Sequence, residues 1–296
     1  MSTQTAEVSL PQPNLRFLWA EITGKCPLSC THCYASSGPT GTHGTMKAID
    51  WIEVLEQAAD MNVRLVQFIG GEPTLYPHLP LLIGVALDAG LNVEVYTNLV
   101  TVSEGMWATF CQPGVQLATS YYSDDPVEHM KITGGNTLDR TRSNIERAVT
   151  LGIPIRAGIV EILPGQRTLQ AKQQLNELGV TKIGADRLRL LGRPNRSTPA
   201  ITELCGNCGR RSAAVLPDGK LVPCPFSRWM TGMDVREAGL QEALAAMRPH
   251  AERIATTVKP VTMCGPDNDG QCHPCEPSCN PGCDPGVSDG NGDDDG

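Results

Sequence analysis

No stretch of this 296-residue chain approaches the roughly 20 consecutive apolar residues a helix needs to cross a bilayer. The longest apolar run, residues 79–87, is far shorter and has a glycine inside it. Also missing is the basic segment followed by an apolar run that marks an export signal; Thr3, Gln4, Thr5, Glu7, Pro11 and Pro13 stand there instead. No membrane partner is therefore expected, and the cytoplasm is the expected compartment. A basic surplus is lacking too. The 32 Asp and Glu exceed the 24 Lys and Arg, for a formal net charge of −8. Five of those acids (Asp284, Asp289, Asp293, Asp294, Asp295) crowd the last thirteen residues, and without them 27 carboxylates face 24 cations. A nearly neutral body argues against nucleic acid, which needs Lys and Arg in number to displace counterions from phosphates. Large apolar residues become scarce after Thr198, so that part is expected to build little core and to depend on metal to fold.

What is abundant is cysteine. The chain has twelve, and in a reducing compartment cysteines in such number bind metal rather than form disulfides. Cys26, Cys30 and Cys33 are spaced Cys-x3-Cys-x2-Cys within the run KCPLSCTHCY. A closed zinc site needs a fourth ligand, and a thioredoxin-like pair needs only two cysteines. Three thiolates suit a 4Fe–4S cluster that leaves one iron open, although a coincidental cluster or a loop zinc site has the same spacing.

The length allows one full α/β domain and a smaller appendage. After a polar leader, residues 15–21 (LRFLWAE) read as a buried first strand, with the cysteine loop at its end. Residues 36–44 are loop by composition, and residues 47–61 place apolar side chains at helical spacing. The alternation continues with strands at 63–69, 92–97, 115–120, 153–162 and 187–191, and helices at 79–89, 103–111, 138–151 and 168–178. Six strands separated by helices predict a parallel sheet with right-handed crossovers, open or curled into part of a barrel. In either form ligands sit at the C-terminal ends of the strands.

That rim carries polar residues. Gly70-Gly71-Glu72-Pro73 follows the second strand, with glycines for close backbone approach, a carboxylate able to accept from an ammonium, and a stiffening proline. Thr97-Asn98 ends the third strand and Ser120-Tyr121-Tyr122 the fourth. Arg156 and Glu161 lie in an otherwise apolar fifth strand, where a polar ligand or a mutual ion pair would satisfy them. Each also has a plain structural reading, as a turn, a cap or an ion pair.

Cys26, Cys30 and Cys33, with aromatic His32 before the last cysteine, resemble the signature of radical S-adenosylmethionine (radical SAM) enzymes. The resemblance covers nearly the whole chain, about residues 15–283. It implies a partial (β/α)6 barrel, a 4Fe–4S cluster on the three cysteines, and SAM chelated at the open iron and cleaved to a 5′-deoxyadenosyl radical. Gly70, Gly71, Glu72 and Pro73 look like the motif that binds the amino group of SAM. Thr97, Asn98 and Ser120 match positions that contact its ribose and carboxylate, and Arg156 and Glu161 are candidates for the same role. Residues 124–141 resemble the loop that precedes the fourth helix in many members. An external electron donor such as flavodoxin or ferredoxin is implied.

Eight cysteines follow the barrel: Cys205, Cys208, Cys224, Cys264, Cys272, Cys275, Cys279 and Cys283. Residues 213–224 read as a hairpin turning at Asp218-Gly219, and residues 235–247 as one helix. Two closed four-cysteine sites would use all eight, leaving Cys111 as an expected buried apolar thiol. Spacing alone leaves zinc and iron–sulfur both open, since Cys-x2-Cys pairs at 205/208 and 272/275 also typify zinc knuckles. The order Cys208-x10-Gly219-x4-Cys224, then Cys272-x2-Cys275, resembles the SPASM extension of peptide-modifying radical SAM enzymes, which holds auxiliary clusters. Cys205, Cys264 and the short step to Cys279 depart from that pattern. One auxiliary cluster with a zinc or free thiols therefore stays open beside two clusters.

The expected organisation is a flexible leader (1–14), a radical SAM partial barrel (15–198), a small cysteine-rich α+β extension (199–286) and a disordered acidic tail (287–296). The tail lacks the closing Glu of a calcium-binding EF-hand loop. The resemblance implies hydrogen abstraction from a ribosomally made peptide to form a C–C or thioether crosslink. Alternatives are peptide epimerisation, sulfatase-type maturation, and dehydrogenation or epimerisation of a small natural-product intermediate. A rival of another class is a non-catalytic zinc-binding interaction protein. Only about fourteen residues precede the first strand, so leader recognition is expected from a separate protein or from the barrel, or is not needed. The first candidates for the chemistry itself are Tyr121, Tyr122, Asp124 and Glu128.

Overall fold

The computed structural model describes residues 15–258. The leader, Cys264, Cys272, Cys275, Cys279, Cys283 and the acidic tail lie outside the described residues.

Strand β1 (Phe17–Thr23) is buried along its whole length. A near-continuous apolar run is what a parallel strand covered on both faces requires. The chain then alternates through α1 (Ala48–Asp60), β2 (Leu65–Gly70), α2 (Leu79–Asp88), β3 (Asn92–Tyr96), α3 (Glu104–Phe110) and β4 (Val115–Ser120). It continues through α4 (Pro126–Thr133), α5 (Leu138–Thr150), β5 (Ile155–Glu161), α6 (Thr168–Glu177) and β6 (Lys182–Arg187). Hairpin β7 (Ser212–Val215) and β8 (Leu221–Val222) follows, and α7 (Val235–Thr257) closes the described chain.

One sheet takes all eight strands in the order β6-β5-β4-β3-β2-β1-β7-β8, and β1 to β6 pair in parallel with their sequence neighbours. Winding that always steps the same way leaves the helices on one face and the other face turned inward, the geometry of a partial (β/α)6 barrel. Period-two alternation along the strands shows both faces. Leu18, Ala20, Ile22, Val66, Phe68, Val93 and Val95 pack with Trp51, Leu55, Ile83 and Phe110 of the helices. Phe17, Trp19, Leu65 and Ile69 pack on the inner side with Leu204, Phe226 and Met230.

The later strands line the interior with polar groups. Gln67, Glu94 and Gln116 stand in register across β2, β3 and β4. Buried Glu94 accepts from Gln67, from Gln116 at 3.2 Å, and from both Nε and Nη2 of Arg156 at 2.7 and 2.6 Å.

Four expectations are corrected. The sixth strand is Lys182–Arg187 rather than residues 187–191. It is an edge strand with mostly exposed alternating positions, so its apolar signal is weaker than that of the leucines after it. Residues 126–133 form a helix started by Asp125, whose carboxylate accepts from Glu128 N at 2.7 Å, and ended by Gly134 at φ 75°. Cys111 is exposed, not buried: it caps α3, whose buried side is Met106, Trp107, Thr109 and Phe110. The segment after Thr198 does not stand on metal alone. β7 joins the free edge of β1 in parallel, and Leu240, Leu244 and Met247 of α7 enter the barrel's own core. The hairpin turns at Gly219 (φ 87°) as expected, while the last helix extends to Thr257 and is broken at Gly239 (φ 73°).

Candidate active site

The cysteine loop leaves the end of β1 and is held by backbone contacts to Gly38 and to the end of α4. Cys26 N donates to Gly38 O at 3.0 Å, Ser29 N to Thr133 O at 3.1 Å, and Thr31 N to Ile132 O at 2.9 Å. The loop therefore rests on the C-terminal end of α4, the helix the sequence did not reveal. The exit of β2 lies against its base: Gly71 N donates to Thr23 O at 2.7 Å and Glu72 N to Lys25 O at 2.8 Å. A Cβ on Gly70 (φ 135°) would stand 2.2 Å from Thr23 O, and one on Gly71 2.3 Å from Lys25 O. The two glycines are thus required by the closeness of two loops.

Beside this junction opens a cavity of about 150 Å³. Cys26, Cys30 and Cys33 line it together with His32, Gly70 and Gly71. Asn98, Ser120, Tyr122 and His129 form a second side, and the end of β6 from Asp186 to Arg189 the far wall. Phe226, from the segment after the hairpin, also lines it.

The three thiols fit an iron–sulfur cluster by the chemistry of the donor set. Burial pushes Cys26 up to about 11 and Cys30 up to about 12, so the thiolates need a cation to form. Ser37 N donates to Cys33 Sγ at 3.3 Å and Asn98 Nδ2 to Cys26 Sγ at 3.8 Å, contacts that favour thiolate sulfur. Among the described residues no three acidic, histidine or cysteine side chains close around a single ion. A cluster spreads its thiolates over several irons, and so asks for a wider arrangement than one ion does.

Other expected site residues divide. His32 lines the cavity; burial holds its imidazole down at about 4, and its Nε2 meets the Tyr122 hydroxyl at 2.9 Å. Asn98 and Ser120 also line it. Glu72, Pro73 and Thr97 do not. Both oxygens of buried Glu72 are taken, by Thr74 N at 3.1 Å, Thr74 Oγ1 and Thr97 Oγ1 at 2.7 Å each, and Asn98 N at 2.8 Å. The carboxylate ties the exits of β2 and β3 together, so its place here is under the rim. Arg156 faces Glu94 and the Tyr96 ring, and Glu161 is exposed, so neither lines the cavity and they do not pair with each other. Of the candidates for chemistry, Tyr122 alone lines it. Tyr121 is fully buried and donates to Gln174; Asp124 pairs with Arg167 at 2.6 Å, and Glu128 accepts from Arg167 N at 3.0 Å.

The second cysteine group is partly described. Cys205, Cys208 and Cys224 are buried beneath Phe17 and Trp19, and the first two thiols stand 3.7 Å apart. Cys208 is pushed up by its hydrogen-bonded neighbours Cys205 and Cys224 and by burial. Tyr34, next to Cys33, meets Phe226 edge-on at 4.9 Å, so the two groups are linked through one ring contact. Sequence reasoning missed the Glu21–Arg228 ion pair, which fastens the same segment to β1. It also missed the far wall formed by Asp186 to Arg189.

The Radical SAM superfamily profile matches residues 20–167. The chain belongs to the radical SAM superfamily. Radical SAM enzymes work with SAM and a 4Fe–4S cluster, and those are its cofactors. The chain is 25% identical to the PqqA peptide cyclase of Granulibacter bethesdensis, over 76% of this chain and 72% of that one. It is 30% identical to the PqqA peptide cyclase of Streptomyces rochei, over 67% of this chain and 51% of that one. Across the Xanthomonas and Streptomyces relatives it matches, the chain spans between 38% and 51% of their length. Streptococcus suis SuiB bound to precursor peptide SuiA superimposes with a TM-score of 0.62 at 14% identity, over 79% of this chain and 64% of that one. The fold is also that of anSMEcpe with bound AdoMet and Kp18Cys peptide (TM-score 0.63, 13% identity, 80% and 82% covered). No helix among the described residues is long and apolar enough to cross a membrane.

Proposed function

We propose that this radical SAM enzyme removes hydrogen from a ribosomally made peptide and closes a crosslink in it, with a C–C bond as the first choice and a thioether as the second. One observation carries this reading. The cavity runs from the cysteine loop to the end of β6 and is bordered there by Phe226 of the appended segment, so the extension reaches the place where a substrate would lie beside SAM. The relatives named PqqA peptide cyclase support the choice of a peptide.

In this reading Cys26, Cys30 and Cys33 hold the cluster, and Gly70, Gly71, Asn98 and Ser120 form the side against which SAM rests. Cluster and SAM together supply a 5′-deoxyadenosyl radical. The chain's own part is to position and to exclude water. Tyr122 and His32 hold each other in place at the cavity wall, and Leu28 and Phe226 keep apolar surface beside the reacting centre. Closing a bond between two C–H or S–H groups removes two hydrogens. One leaves as an atom and the other as a proton whose electron must be carried off; Cys205, Cys208 and Cys224 lie within the same interior to serve an acceptor. A flavodoxin or ferredoxin is the proposed electron donor.

The test is anaerobic reconstitution with SAM, a reductant and short peptides synthesised from the reading frames that neighbour the gene. Peptide lighter by two hydrogens, with a new crosslink in its fragment spectrum, is expected. SAM cleavage with peptide of unchanged mass would overturn the crosslinking reading; deuterium taken up at an α-carbon would replace it with epimerisation.

A further inference from the structure

The exit of β6 is tied to the cysteine loop more closely than any role as a linker requires. Arg193 N donates to Cys33 O at 2.9 Å. Its guanidinium donates to Cys30 O through Nη1 and to Ser37 O through Nη2 at 2.5 Å. The residue before it is Gly192 at φ 65°, where a Cβ would stand 2.1 Å from Tyr34 O. One arginine therefore fixes the carbonyls of two of the three cysteines and of a third loop residue, and the chain can come that close because a glycine precedes it. Among the described residues no carboxylate pairs with this guanidinium, which is half-buried beside the thiols. A cluster on three thiolates is net negative, and nearby charge and hydrogen bonds set the potential of such centres.

We propose that Arg193 is a positioning residue for the catalytic cluster, holding the loop between Cys30 and Ser37 in register and supplying the positive charge that eases reduction. The proposal rests on assigning the cluster to Cys26, Cys30 and Cys33. It makes β6, the last barrel strand, the clasp of a loop that follows the first. A rigid fork is needed because two carbonyls on different parts of the loop are held at once; a lysine keeps the charge and cannot span them.

The experiment compares wild type, Arg193→Met and Arg193→Lys. In the metal-free chains, alkylation of Cys30 and Cys33 is followed by mass spectrometry of their peptides. In the reconstituted chains, iron is counted and the cluster whose electron paramagnetic resonance signal changes on adding SAM is titrated for its midpoint potential. Both variants are expected to alkylate faster than wild type. Arg193→Met is expected to shift the midpoint to more negative potential, and Arg193→Lys to keep it near the wild-type value. Should the Met variant not fold, the Lys variant's alkylation rate alone decides, and a wild-type rate there overturns the proposal. Wild-type loading with unchanged alkylation and midpoint in both variants overturns the Arg193 role and leaves the cluster assignment standing. A wild-type chain that takes no iron at these cysteines overturns both.

Discussion

The molecule contains two cysteine groups that the same sheet treats in opposite ways. Cys26, Cys30 and Cys33 stand at the strand ends on an open cavity, held from outside by backbone of β2, α4 and the exit of β6. Cys205, Cys208 and Cys224 are packed with Phe17 and Trp19, each at most 4% exposed, and none of the three lines that cavity. A site that must admit a reactant keeps a position open, whereas one that only stores charge or braces a fold can be closed. The difference lies in where each group meets the barrel: the first at its mouth, the second against its inner apolar wall.

The largest effect should come from separating the two groups. Cys30→Ala is expected to abolish 5′-deoxyadenosine formation, because it removes one of the three proposed cluster ligands at the cavity. Cys208→Ala should leave SAM cleavage measurable while crosslinked peptide disappears, and should lower the iron count. Equal loss of SAM cleavage in both variants would erase the distinction between an open and a closed group. Iron counts on the intact chain decide whether the second group holds no further cluster, one or two.

A smaller effect tests whether the inner wall is structural. Glu94 is 2% exposed and is neutralised by Arg156, which is itself partly exposed. Arg156→Met leaves a buried carboxylate with Gln67 and Gln116 as its remaining side-chain donors among the described residues, and should cost about 2–3 kcal/mol in a denaturant titration, less than a fully buried pair. The affinity for SAM should not change. A loss of SAM binding at unchanged stability would return Arg156 to the cofactor site.

Much of this was legible in the sequence where the signal was local. The cysteine spacing, the paired glycines after β2 and the alternating apolar runs place the barrel and its mouth without any structure. What stayed hidden depends on partners distant in the chain. Arg193 stands at the end of the expected sixth strand, just before a polar, proline-rich run, with nothing local to mark it, and its acceptors lie 156 and 163 residues away. Arg228 and Glu21 are 207 residues apart. Arg156 reads as a charge in an apolar strand that a polar ligand or Glu161 of the same strand would satisfy, whereas its partner Glu94 shows the same anomaly in NVEVY and lies two strands over. The fate of Cys111 turned on one residue at a helix end, where burial changes from one position to the next.

The smallest effect concerns a side chain at the mouth that is as buried as anything in the wall. His129 of α4 is 2% exposed and lines the cavity; its Nε2 meets Thr137 Oγ1 at 3.1 Å, and its Nδ1 is buried without a partner among the described residues. Burial holds the imidazole down at about 4, against an ordinary value of 6.5. The unfolded chain therefore binds a proton that the folded chain refuses between those two values, and stability must fall as pH is lowered from about 6.5 through about 4. After allowance for solvent screening the contribution is up to about 2 kcal/mol. His129→Gln keeps a group able to reach Thr137 and has nothing to titrate, so its stability should fall less steeply across that window. His32 is depressed for the same reason and will keep part of the slope in the variant. Urea midpoints of both proteins at pH 7 and pH 4.5 measure the difference; parallel losses would show that α4 opens at the mouth readily enough to hydrate His129, and that the open end of the barrel is looser than its buried imidazole implies.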